Sequence, residues 1–159
     1  MLKTRIPIKE THVRQFVIAR YGNNTPVIDM TKKSMLGVLA EIACEKVGFR
    51  HVLPKMEVDE TISITLLYPD SLKNHFIHPA KLALVAKLLN YLFTQAFLEC
   101  MEVSLMLGIS DYEAVNIFME RYGITEDMVS ADSLRKKWRD HQRYMAKKMD
   151  NMLQALSTN

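Results

Sequence analysis

Glycine is scarce in this sequence and never clustered: its five copies stand singly. That excludes the Gly-rich loops that cradle phosphate, and no nucleophile elbow or paired-carboxylate motif takes their place. Cysteine is rarer still. Cys44 and Cys100 both lie in apolar, helix-like surroundings with no His or Cys at ligand spacing, which excludes a zinc module and a disulfide framework and predicts two buried thiols in a reducing compartment. No stretch rich in Gly, Ser or Pro divides the chain, so tethered independent domains are not expected. Long hydrophobic runs are also missing. The longest, Leu82 to Leu98, is interrupted by Lys87, Asn90, Thr94 and Gln95, and the N-terminus lacks the unbroken apolar core of a signal peptide. A cytoplasmic protein that does not span a membrane is the expectation.

Candidate ligands and catalysts are equally thin. His75 and His78 are three apart, but Pro79 follows and Asp70 is the one acidic residue nearby. His12, His51 and His141 have no partners in sequence. These histidines read as structural, and neither catalytic residues, a metal nor a cofactor is predicted.

What the chain does contain is ample apolar material, 48% of 159 residues, enough for the core of one ordinary domain. Eleven methionines suit adaptable packing. The net charge of +3 hides a useful distribution. Residues 1–70 carry an excess of +2, residues 71–129 of −3, and residues 130–159 of +4, from seven basic and three acidic side chains. Acidic partners are expected to meet the C-terminal segment.

Periodicity predicts an α+β fold: a small N-terminal sheet with two helices, then an all-helical C-terminal half. A strand over residues 3–8 precedes a helix in which Val13, Phe16 and Val17 share a face and Gly22 is the stop. Pro26–Met30 reads as a short strand. Asp29 or Thr31 then caps a helix with Met35, Leu36, Leu39, Ile42 and Ala43 on its apolar face, closed by Gly48. After a polar connection around Pro54, residues 60–68 alternate Ile62, Ile64, Leu66 and Tyr68 against Thr61, Ser63, Thr65 and Leu67. This is the clearest strand signal, and Pro69-Asp70 ends it. The period turns helical near residue 78, which divides the chain into an α/β half, 1–77, and a helical half, 78–159, within one compact fold. A helix from His78 to about Leu107 starts with Pro79 and stops at Gly108. It would span roughly 45 Å and pack against both the sheet and the C-terminal helices, or against a second copy.

The last third is the most informative. Ser110-Asp-Tyr-Glu113 is a capping box, so a helix is predicted from residue 111, with Ala114, Val115, Phe118 and Met119 inward, Gly123 as its stop and Ile124 packing back. A turn longer than a minimal helix-turn-helix requires then delivers Ser130 or Asp132 as the next cap. On a wheel of the last helix with Leu134 at zero, Trp138, Met145, Met149, Met152 and Leu156 fall within roughly 60° and form a predicted buried stripe. Arg135, Lys136, Arg139, Arg143 and Lys147 fall between roughly 100° and 220°, a basic outer face to which Ser133 adds a polar contact. Arginine forks engage phosphate or a guanine edge, and lysines supply point charges. The bland alternative is a solvated face, because Asp132, Asp140 and Asp150 lie among the same cations at ion-pair spacing.

The run from Ser110 to Tyr144, with Tyr-Gly-Ile-Thr-Glu-Asp before Asp-Ser-Leu-Arg-Lys-Lys-Trp, resembles the C-terminal segment of small proteins of bacterial phages and mobile elements that carry a helix-turn-helix-like unit. That resemblance covers about 35 residues and implies a genome-handling or regulatory setting. The leading expectation is a DNA-binding, non-enzymatic regulator or accessory protein reading DNA through a unit at residues 110–156, as a homodimer joined through the long helix or the α/β half. The alternatives are a protein-interaction or scaffold module using a Met-rich long helix, and a small-molecule enzyme or ligand-controlled regulator with a pocket between sheet and helices.

Overall fold

The computed structural model of the chain describes residues 3–29, 35–47, 63–67 and 75–157. Strand β1 spans Lys3–Pro7, and Ile6 within it and Ile8 just beyond it, two residues apart, are both buried. Helix α1 (Thr11–Tyr21) follows and buries Val13, Phe16 and Val17 as its spacing predicts. Then come β2 (Val27–Asp29), α2 (Met35–Ala43), β3 (Cys44–Lys46), β4 (Ser63–Leu67) and β5 (His75–Ile77), before three helices, α3 (Pro79–Met106), α4 (Asp111–Tyr122) and α5 (Ala131–Ser157). The architecture is α+β, with small sheets and helices first and an all-helical half after them.

Strand β4 is central in a three-stranded sheet of order β1-β4-β2, antiparallel to β1 and parallel to β2. Register places Ile6 opposite Ile64 and Ile28 opposite Leu66, which gathers four buried apolar side chains on one face. The predicted alternation holds for Ile64 and Leu66, although Ser63 on the opposite phase is also buried. The Thr31 cap, the Gly48 stop, the turn around Pro54, His51, and the strand ends at Thr61, Ile62, Tyr68 and Pro69-Asp70 lie outside the described residues.

Two expectations fail at α2. The helix ends at Ala43, and Cys44–Lys46 pairs antiparallel with β5, Cys44 opposite Ile77 and Lys46 opposite His75. A ladder between segments some thirty residues apart overrides the local helical period, and three-residue strands are too short to show alternation. Met35 and Ile42, predicted on the apolar face, are exposed; of that face Leu36 is buried, with Leu39 and Ala43 packed beside it at i, i+3 and i+7. Cys44 and Cys100 are half-buried rather than buried, Cys44 because it sits on a strand at the rim.

Helix α3 begins where the sequence places it. Pro79 occupies the first turn, and His78 caps it, its Nδ1 accepting from the Ala80 amide at 3.2 Å. The end is a left-handed Gly108, φ +75°, with the Ile109 amide returning to the Ser104 carbonyl at 3.0 Å. By length and composition α3 matches a membrane-crossing helix, its most apolar 18 residues having a mean hydropathy of 1.2. Here Leu82, Val85 and Leu89 face the strands, and Phe93, Phe97 and Met101 face α1 and α4. The core runs continuously from Ile6 to Trp138 across both halves of the sequence.

At its centre five aromatic rings from three helices meet. Phe118 of α4 lies 5.2–6.4 Å from Phe97, Phe93 and Phe16, and 4.9 Å from Tyr122. Phe16 also meets Phe93 and Tyr122 edge-on.

The stop of α1 is tightly closed. The Gly22 amide donates to the Ile18 carbonyl, and Thr25 returns its amide and its hydroxyl to the Gly22 carbonyl at 2.9 and 2.7 Å. A Cβ on Gly22 would stand 2.2 Å from the Thr25 carbonyl oxygen, which is backbone and cannot swing away. Gly22→Ala is therefore expected to cost about 1–3 kcal/mol of stability, measured by urea unfolding. A loss within error of zero would show that the turn opens freely.

Candidate nucleic-acid interface

The α4–α5 unit is assembled from caps the sequence announces. Ser110 Oγ accepts from the Glu113 amide at 3.3 Å, and Ala114, Val115, Phe118 and Met119 are buried. Gly123 takes the left-handed conformation, φ +62°, and the Ile124 amide returns to the Met119 carbonyl at 2.9 Å, which folds Ile124 into the core. Of the two candidate caps for α5, Ser130 is the one used: its Oγ accepts from the Ser133 amide at 3.2 Å. Glu126 adds a carboxylate to the Ala131 amide at 3.1 Å, neutralising the positive helix end.

The predicted stripe of α5 is buried over its first third only. Leu134 and Trp138 are 2% and 4% exposed, and His141 stacks on Trp138 at 5.8 Å. From Gln142 to Leu156 every residue is exposed, including Met145, Met149, Met152 and Leu156. The correction has a plain cause: periodicity marks which face is apolar but not how far α4 and α3 extend alongside it. The Met-rich character expected of the long helix belongs here too. Helix α3 contributes a buried Met101 and an exposed Met106, whereas α5 exposes three methionines in a row.

Of the predicted DNA-facing residues, Lys136, Arg139, Arg143 and Lys147 are exposed on one side of α5, over about 17 Å of helix. Arg143 has Asp140 at 3.5 Å and keeps 79% of its side chain exposed. Ser133 is exposed at the N-terminal end, its hydroxyl shared with Ser130 at 2.7 Å. Arg135 is different. Its guanidinium lies over the Tyr112 ring at 5.5 Å, pairs with Asp132 at 3.1 Å, and holds Nε 3.9 Å from Asp111, close enough for attraction but not for a hydrogen bond. It ties α5 to the start of α4 and is only partly exposed, at 29% of its side chain.

Lys137 falls outside the predicted set, although its place on the wheel, about 60° from Leu134 on the side away from Arg135, marks it as lining the stripe. Its ammonium reaches Thr94 Oγ1 at 2.9 Å and sits over the Phe93 ring, against whose edge His12 packs at 5.0 Å. Among the described residues no carboxylate pairs with it. Burial lowers the Lys137 pKa from its ordinary range. It lowers that of His12 as well, where the Lys137 charge adds to the effect against smaller opposing contributions from Glu10 and a bond to the Met128 backbone.

The sign follows from linkage. The unfolded chain takes up a proton at His12 near pH 6.5 that the folded protein resists, so this contribution to stability is present above about pH 6.5 and is lost as pH falls through the lower folded value. His12→Gln is expected to flatten the fall in melting temperature below that pH. Lys137→Met removes a desolvated charge, and Thr94 keeps its bond to the Asn90 carbonyl, so a rise of roughly 2–4 °C is expected by calorimetry. A fall in melting temperature would mean that the Lys137–Thr94 bond outweighs the burial of the charge.

No metal-ligating cluster of His, Cys, Asp and Glu occurs among the described residues. The space between sheet and helices, bounded by Ile6, Leu36, Ile64 and Leu89, amounts to about 10 Å³ and is apolar. A larger open groove of about 620 Å³ lies between α1, α3 and α4, with Arg20, Arg121, Glu99 and Cys100 on its walls. Compared with known proteins, the chain matches no family model, no curated protein and no solved structure.

Proposed function

We propose that the protein binds double-stranded DNA through the outer face of α5, as a non-enzymatic regulator or genome-handling accessory protein of the cytoplasm. The observation that carries this reading is the row Lys136, Arg139, Arg143 and Lys147, four exposed cations along one side of α5, the first two opposite its packed face and the last two on the turns beyond it. Two arginines and two lysines at that spacing suit a phosphate backbone, and the N-terminal turn with Ser133 supplies shorter polar groups for base edges. The α4–turn–α5 order and its caps support a helix-turn-helix-like reading of residues 110–156.

Fluorescence-anisotropy titration against mixed double-stranded and single-stranded DNA, at low and then moderate salt, tests this. Binding whose affinity falls with a multi-charge salt slope is expected. No binding at low salt would end the reading.

A second reading has its own observation. Leu84, Tyr91, Val103 and Met106 of α3 are exposed, as a scaffold or interaction module would require. It predicts no DNA affinity and a protein partner recovered through α3.

A further inference from the structure

The apolar side of the exposed end of α5 is used by neither reading, although Arg143 and Lys147 on its other side belong to the basic row. Residues 142–157 extend about 24 Å past the last packed turn and carry an apolar stripe along their whole length. Starting from the buried Trp138, the stripe advances by seven to Met145, then by four, three and four to Met149, Met152 and Leu156. Alternating steps of three and four are the spacing of a helix meant to seat on another helix. We propose that this arm docks on the same arm of a second copy of the chain, running antiparallel.

The choice of occupant follows from register. When the two arms cross midway between residues 150 and 151, Met149 of each meets Met152 of the other and Met145 meets Leu156. All four layers are then apolar and the interface closes on itself with twofold symmetry. Leu153, exposed and about 100° around from Leu134, falls beside Ala146 of the other arm in the same arrangement. A parallel pair sets Leu153 against Lys148 and brings Arg143, Lys147 and Lys148 level with their own copies. The antiparallel pair separates those charges and opposes the helix dipoles.

A lipid surface is a poorer fit, since the arm has neither Trp nor Phe to anchor in headgroups. Met149, Met152, Leu153 and Leu156 are 58–74% exposed, so pairing covers on the order of 1,000 Å² over the two arms, near the floor for a specific interface. A weak dimer whose population depends on protein concentration is the consequence. The basic face lies about 150° from the stripe and stays uncovered. The inference does not depend on DNA binding and is tested without DNA.

Sedimentation velocity of the full chain across about 1–200 μM should show reversible passage from monomer to dimer. Met149→Glu with Met152→Glu should weaken dimerisation at least about tenfold. Circular dichroism and melting temperature at dilute, monomeric concentration should be unchanged, because both side chains already face solvent. In a Cys44→Ala, Cys100→Ala background, a mixture of Met145→Cys and Leu156→Cys chains should oxidise to the mixed disulfide in preference to either self-linked species. A monomer throughout, or a dimer indifferent to the two glutamates, overturns the proposal. Preferential self-linking of Met145→Cys overturns the antiparallel register, and a monomer that floats with anionic vesicles until the glutamates are introduced assigns the arm to a membrane instead.

Discussion

Phe118→Ala is expected to remove about 3–5 kcal/mol of stability, the largest loss of any single truncation in this protein. Phe118 is fully buried and its ring touches Phe16 of α1, Phe93 and Phe97 of α3, and Tyr122 of its own helix. The cost has two parts: the apolar surface no longer withdrawn from water, and a cavity that rings held by three separate helices cannot collapse to fill. Net stabilities of single domains are about 5–15 kcal/mol, so the variant should melt far below the parent. Ile117→Ala, one residue along the same helix but 41% exposed, is the control and should cost under about 1 kcal/mol. Urea unfolding of both checks this. A loss below about 1 kcal/mol for Phe118→Ala would mean that α4 is not held by these rings.

The second large effect concerns DNA. Alanine at Lys136, Arg139, Arg143 and Lys147 together is expected to abolish measurable binding at moderate salt. At low salt the slope of log affinity against log salt should flatten by about 3.6, close to 0.9 for each phosphate that is no longer neutralised. Because these side chains point away from the core, the melting temperature should hardly move. Arg135→Ala should behave in the opposite way. Its clamp on Asp111 and Tyr112 makes it a stability residue, with a loss of about 1 kcal/mol and little change in the salt slope. If the quadruple variant bound as well as the parent, α5 would not be the reading helix. If Arg135→Ala alone abolished binding in a protein of unchanged stability, the clamp would be incidental.

This division between Arg135 and its neighbours shows where the sequence stops informing. A helical wheel sets Arg135 at the edge of the basic face, and only the neighbouring helix decides that the side chain turns inward, because Tyr112 and Asp111 stand beside it. Lys137 is the converse case. Its charge suggests solvent, while its angle and the approach of Phe93 and Thr94 draw it into the core.

Local signals are legible wherever local interactions govern. Ser110, Gly123 and Pro79 begin or end helices through hydrogen bonds and backbone angles confined to a few residues, and those geometries need no distant partner. The apolar faces of α1 and α4, and the inward phase of β4, are legible for the same reason: periodicity is a property of one segment.

Three things are settled elsewhere. The β3–β5 ladder exists because Cys44–Lys46 and His75–Ile77 meet across the chain, and neither segment carries the pattern alone. The order β1-β4-β2 sets β4 between two strands that precede it far back in the chain, which no single segment records. The burial of α5 as far as His141 and its exposure beyond are set by where the supporting helices stop. By itself, then, the sequence determined the α+β class, the main helices with most of their limits, and the cations of the outer face, since each is written in consecutive residues. Tertiary structure decided which of those cations are free, which stripe is covered and which is left open, because burial depends on what stands opposite, and that is a property of the whole chain.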